Sequence, residues 1–144
     1  MPAPSLPVRR VVVGFDGSDA SGRAVRFALS FVGDSASEVW LVHASNAPRT
    51  VAEPRTDEER DIEAQAIAAT LERTARESDP TLQRVHVRVA EGSPADVLLA
   101  VADEIRADLI VVGTRGLRGA ARVVLGSVSQ TVVSRSPRPV AVVP

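Results

Sequence analysis

The chain has no cysteine, which excludes disulfides, zinc–thiolate centres, iron–sulfur clusters and cysteine nucleophiles. Lysine is absent too: all 17 basic residues are arginine. Schiff-base chemistry and the lysine of a Walker A phosphate loop are therefore out of reach. A charge excess of either sign is also missing, since 18 acidic residues leave a formal net charge of −1. A broad electrostatic pull toward nucleic acid or an anionic membrane is not expected. No apolar run approaches the roughly 18 residues that mark a membrane span. The opening Met1-Pro2-Ala3-Pro4-Ser5-Leu6-Pro7 has no hydrophobic leader segment, so the expected location is the cytoplasm.

What is present is the composition of a folded protein: 144 residues, 44% hydrophobic and 24% charged. A chain of this length buries roughly 68–70% of the surface its unfolded form exposes, enough to hold without staples. One domain over residues 1–144 is expected.

The apolar pattern alternates between short continuous runs and helical spacing. Val8 to Gly14 reads as a buried strand, followed by the turn Asp16-Gly17-Ser18-Asp19. Ala24, Phe27, Ala28 and Phe31 then share one helical face, with an end at Gly33. Val39 to Val42 predicts a second strand and Ser45 to Arg55 a proline-spaced loop. Thr56 and Glu59 form a capping-box pattern ahead of a long helix faced by Ala64, Ile67, Ala68 and Leu71. That helix stops near Asp79-Pro80, and Arg84 to Ala90 reads as a strand with one face less buried. Ser93-Pro94 predicts the next helix start, with serine as N-cap and proline first in the helix. Its apolar face is Val97, Leu98, Val101 and Ile105. Leu109 to Val112 is a fourth strand, Ser127 to Arg135 a short helix, and Val140 to Val143 a last strand. Valine-rich strands alternating with helices predict an α/β doubly wound parallel sheet, helices on both faces.

In such sheets ligands sit beyond the carboxyl ends of strands, where the strand order reverses. Gly14-Phe15-Asp16 follows the first strand and Gly113-Thr114-Arg115-Gly116 the fourth. Glycines at 113 and 116 let backbone approach a ligand, because no Cβ holds it away. Gly126-Ser127 opens a helix, leaving unpaired N–H groups and a hydroxyl suited to phosphate. The alternative is that the glycines merely turn the chain and Ser127 merely caps the helix.

Gly113-x2-Gly116-x9-Gly126-Ser127 resembles the nucleotide-binding signature of the universal stress protein family. The agreement runs over nearly the whole chain. Val11–Ser18 resembles the family's first strand and acidic turn, and Leu41–Ala44 its second strand end. Glu91–Ala95 resembles its third helix start, and Ala107–Gly116 its fourth strand and loop. The resemblance implies a five-stranded sheet ordered 3-2-1-4-5 with ATP between strands one and four. On the matching positions it implies Gly14, Phe15 and Asp16 on the base and ribose side, with Ala44 approaching adenine through its backbone. Val112 and Gly113 would flank ribose and phosphates, while Gly116, Gly126, Ser127 and Val128 would hold the phosphate chain. It also implies a two-fold homodimer paired through strand 140–143.

Several residues carry two readings. Asp16 either contacts a Mg²⁺ ion on the nucleotide or fastens its own turn. Arg115, Arg118 and Arg122 either pair with phosphate or stay solvated, the latter expected for Arg118 and Arg122. Ser129 either reaches a terminal phosphate or occupies the first helical turn. His43, at a strand end near the crevice, is expected to be structural, and His86 to face the less buried side of its strand.

A serine hydrolase is excluded because no G-x-S-x-G elbow occurs, and Rossmann dinucleotide binding because G-x-G-x-x-G is missing after the first strand. A phosphoacceptor receiver domain would need a lysine. A regulatory binder of adenine nucleotide is the expectation. The rivals are a slow ATPase or nucleotide-dependent transferase of the same fold, and a dimeric scaffold with an empty crevice.

Overall fold

The computed structural model describes residues 8–32, 37–45, 56–114 and 125–144. Five strands carry the architecture: β1 Arg10–Gly14, β2 Glu38–Ser45, β3 Val85–Glu91, β4 Leu109–Gly113 and β5 Val140–Val143. All pairings are parallel, in the order β3-β2-β1-β4-β5. The doubly wound sheet and its predicted strand order are what the structure shows.

Each face of the sheet has its own apolar cluster. Val11 and Val13 of β1, Val39 and Leu41 of β2, Val85 and Val111 meet α1 (Asp19–Leu29) and α2 (Asp57–Ser78) on one side. Val12, Val42, Ile110 and Val112 meet α3 (Pro94–Ile105) and α4 (Ser127–Arg135) on the other. Consecutive valines thus serve opposite faces, which is why strands of this sheet read as unbroken apolar runs.

Local signals place the helix starts. The Ser18 hydroxyl accepts from Ser21 N–H at 3.2 Å and caps α1. Thr56 and Glu59 form the predicted capping box, with reciprocal bonds of 3.1 and 3.0 Å. At α3, Ser93 is the N-cap residue with Pro94 first in the helix, but its hydroxyl donates to Asp96 Oδ2 at 2.7 Å and caps no N–H.

Several boundaries move. β1 begins at Arg10 rather than Val8. The helical face predicted through Phe27 is partly wrong: Ala24, Val25 and Ala28 are buried, while Phe27 is exposed and packs edge-on against Phe31. α1 ends at Leu29 in a 3-10 turn over Ser30–Val32; the predicted end at Gly33 lies outside the described residues. β2 runs three residues past Val42, because His43, Ala44 and Ser45 pair with Val89, Ala90 and Glu91. Of the predicted loop 45–55, Ser45 is therefore strand, and 46–55 lie outside the described residues. On α2 the buried contacts are Leu71 and Ala75; Ala64, Ile67 and Ala68 are half-buried.

Candidate functional site

The order of the sheet reverses between β1 and β4, since the chain builds β2 and β3 on one side and returns to add β4 and β5 on the other. The crevice beyond the carboxyl ends of such a pair is the ligand position of open α/β sheets. Gly14 closes β1 there and Gly113 closes β4.

The segment after β1 is stitched down residue by residue. Phe15 N–H donates to Val42 O at 2.9 Å, and Phe15 O bonds His43 Nδ1 at 2.9 Å. A carbonyl only accepts, so this bond places the imidazole proton on Nδ1. His43 thereby ties the end of β2 to the turn after β1, in line with the structural role expected for it. Asp16 Oδ1 accepts from Ser18 N–H at 2.9 Å, and Asp16 N–H donates to Ser21 Oγ at 3.3 Å. The turn reading of Asp16 is thus realised. Gly17 lies at φ +87, a conformation L side chains rarely adopt, and it lets the chain reverse between the carboxylate and the cap.

The glycine at 113 has a different cause from the one expected. A Cβ there would lie 2.6 Å from the Ala20 carbonyl carbon and 2.9 Å from Ser21 N. The first turn of α1, not a ligand, fills the space that a side chain would take. Gly14 has a milder version of the same constraint, with Leu98 Cδ1 2.9 Å from its missing Cβ. Val112 is buried in the cluster under α3 and α4. Ala44, half-buried opposite Ala90, flanks the same cluster.

α4 starts at Gly126, an N-cap with extended backbone (φ −70, ψ 169) and no side-chain cap bond. Ser127 is the first helical residue and exposed, so it does not cap the helix. The first intrahelical bond runs from Gln130 N–H to Gly126 O at 2.9 Å. The amides of Ser127, Val128 and Ser129 precede it and have no intrahelical acceptor. Val128 packs on the α3–α4 cluster. Ser129 is 2% exposed and its hydroxyl donates to Gly126 O at 3.0 Å, which favours the first-turn reading over phosphate contact. Arg115, Gly116, Arg118 and Arg122 lie outside the described residues.

Sequence reasoning passed over Thr114. It is 1% exposed, its N–H donates to Val143 O at 2.8 Å, and its Oγ1 is buried without a hydrogen-bond partner. Among the described residues the only other such atom is His86 Nε2. His86 was expected on the less buried face; it stacks on Trp40 at 4.5 Å, with Val85 in the cluster on the opposite face. Near the start of α3, Arg135 and then Ser93 hold the Asp96 carboxyl below the usual aspartate range by donating to it.

The model of the universal stress protein family matches residues 7–144. The chain belongs to that family. A universal stress protein from Thermus aquaticus is 34% identical over 142 residues, covering 94% of this chain and 98% of the relative. A solved universal stress protein in complex with cAMP is 32% identical with a TM-score of 0.69, covering 96% of this chain and 99% of that one. One from Archaeoglobus fulgidus in complex with dAMP is 25% identical with a TM-score of 0.67, covering 96% and 100%.

In this universal stress protein, among the described residues, the turn after β1 carries the Asp16 carboxylate and the start of α4 carries main-chain N–H groups without an intrahelical acceptor. Among the described residues no three His, Asp or Glu side chains gather as a metal cage. Nor is any described helix long and apolar enough to cross a membrane. The arrangement is suited to holding an anion by backbone donors at a helix N-terminus.

Proposed function

We propose that this universal stress protein binds an adenine nucleotide, ATP foremost, in the crevice between β1 and β4, and works as a regulatory binding protein. The observation that carries this reading is that the Gly14–Asp16 turn follows the carboxyl end of β1, at the reversal of strand order, while α4, which returns the chain from β4 to the parallel β5, opens with amides that have no intrahelical acceptor. The cAMP and dAMP complexes of related universal stress proteins support it. Gly14, Phe15, Asp16 and the Ala44 backbone would line the nucleoside side. Val112 and Gly113 would flank ribose and phosphates, and Gly126, Ser127, Val128 and Ser129 would offer backbone donors to phosphate, together with Arg115 and Gly116. A Mg²⁺ ion would arrive on the phosphates, with Asp16 as its one carboxylate, the usual division of ligands for this ion.

β5 supports a homodimer. It pairs with β4 only among the described strands and is half-exposed along its length, so its outer edge presents unpaired backbone groups. A second copy would satisfy them, and a monomeric mass in light scattering at micromolar concentration would remove this assignment.

Calorimetry with ATP tests the site, and absence of heat at millimolar ligand would refute it. Gly126→Val sharpens the test. The extended backbone at Gly126 is one that valine adopts without strain, and a branched side chain there would stand beside the α4 amides; thermal unfolding without ligand checks that the variant keeps its fold. ATP affinity is expected to fall at least about tenfold, or roughly 1.4 kcal/mol; unchanged affinity would move the site elsewhere. Turnover of Mg·ATP near ~1 s⁻¹, an ordinary enzyme rate, would replace the regulatory reading with a catalytic one.

A further inference from the structure

The ladder between β1 and β2 stops one rung before the chain requires it to. Phe15 N–H donates to Val42 O at 2.9 Å and Gly14 lies level with Val42, so the even-numbered residues of β2 turn their N–H and C=O toward β1. Glu38 N–H on Arg9 O shows the same parity at the start of the strand. Odd-numbered Val39 and Ser45 bond the other way, to Arg84 O and Gly92 N–H on the β3 side. The next rung toward β1 would join Ala44 N–H to Phe15 O and Gly17 N–H to Ala44 O. Among the described residues neither bond forms.

Phe15 O is taken by a side chain instead. It accepts from the His43 ring at Nδ1, 2.9 Å away, so the imidazole stands in for the backbone amide that follows it in the chain. Gly17, at φ +87, then turns the chain away after Asp16. The exchange gains the strand nothing, because one bond to Phe15 O replaces another. It leaves Ala44 N–H and C=O without a backbone partner, a state that main-chain groups away from water rarely keep. Ala44 is half-buried rather than sealed, and both groups point past the end of β1, at the reversal of strand order.

We infer that His43 is a positioning residue of the nucleotide site: by occupying Phe15 O it ends the β1–β2 ladder and keeps the Ala44 main-chain edge open to the base. This rests on the crevice reading above and deepens it. A donor and an acceptor on one residue match adenine, which has an amino donor beside a ring-nitrogen acceptor; guanine has a carbonyl in place of that amino group. His43 acts through Phe15 and touches no ligand itself.

The test compares wild type, His43→Leu and His43→Asn. The asparagine amide nitrogen takes the place of Nδ1 and keeps a donor for Phe15 O, whereas leucine has none. In ligand-free wild type the Ala44 amide should exchange with solvent much faster than the Val42 amide, which lies within the ladder. In His43→Leu the Ala44 amide should slow as it takes over Phe15 O. Calorimetry is expected to show ATP weakened about tenfold in His43→Leu and near wild type in His43→Asn. Preference for ATP over GTP should fall with it, since both share the same phosphates. An Ala44 amide as protected as that of Val42 in wild type would overturn the inference with no variant and no ligand. Equal losses for ATP and GTP in His43→Leu, or no recovery in His43→Asn, would show general damage to the turn and overturn it too. If wild type itself gives no heat with ATP, the crevice reading fails and takes this inference with it; heat with wild type but unchanged ATP affinity in His43→Leu overturns the inference alone.

Discussion

Gly113→Ala adds one carbon at the most crowded point of the crevice floor. That carbon would sit 2.6 Å from Ala20 C, 2.7 Å from Ala20 O and 2.9 Å from Ser21 N. Carbon atoms settle at about 3.5–4.0 Å, so roughly 1 Å of separation has to be found. No side-chain rotation supplies it, because all three atoms are backbone of the first turn of α1. That turn is pinned by Ser21 N–H to Ser18 Oγ and Gly22 N–H to Ser18 O, at 3.2 and 3.0 Å. Overpacking of this kind costs about 1–3 kcal/mol. For a chain of this size that lowers the melting temperature by roughly 3–10 °C. Gly14→Ala is the control: its added carbon meets the tips of Leu98, which can rotate, so the loss should be smaller. Thermal unfolding of the ligand-free variants is the assay. A Gly113→Ala protein that melts with wild type would refute the close-approach account and return the glycine to ligand contact.

Leu71→Ala removes one of only two buried residues of the 22-residue α2 and should cost about 2–5 kcal/mol in urea unfolding. A loss below about 1 kcal/mol would mean that other contacts hold the helix. Asp79 is held below the usual aspartate pKa, first by Arg84 N–H and also by Thr81 and Val85, so its stabilisation is complete above the ordinary aspartate range and lost as pH falls through the lowered folded-state value. Asp79→Asn should therefore be less stable than wild type at neutral pH and show a flatter acid limb; parallel pH–stability curves would count against this.

The existence of the strands was legible because valine runs, capping residues and turn glycines act locally, whereas their order in the sheet came from the resemblance to the family. The capping box at Thr56 and Glu59 and the strand Val140–Val143 appear as read. What the sequence hid was set by partners distant along the chain. β2 extends to Ser45 because β3 offers pairing as far as Glu91. Phe27 has the helical spacing of a core residue, yet small Ala24 and Ala28 bring α1 close to the sheet and leave the ring outside. The motif positions 113 and 126 were visible, but the cause of the first glycine, contact with Ala20, lies 93 residues away in sequence. Thr114 was passed over because an unpartnered hydroxyl leaves no trace in composition or periodicity.

The stacked pair of Trp40 and His86 has a practical corollary. The chain carries a single indole and no tyrosine, so its ultraviolet emission comes from one spot in the second strand of the sheet. Fluorescence then follows the loosening of that strand from its edge neighbour without any introduced dye.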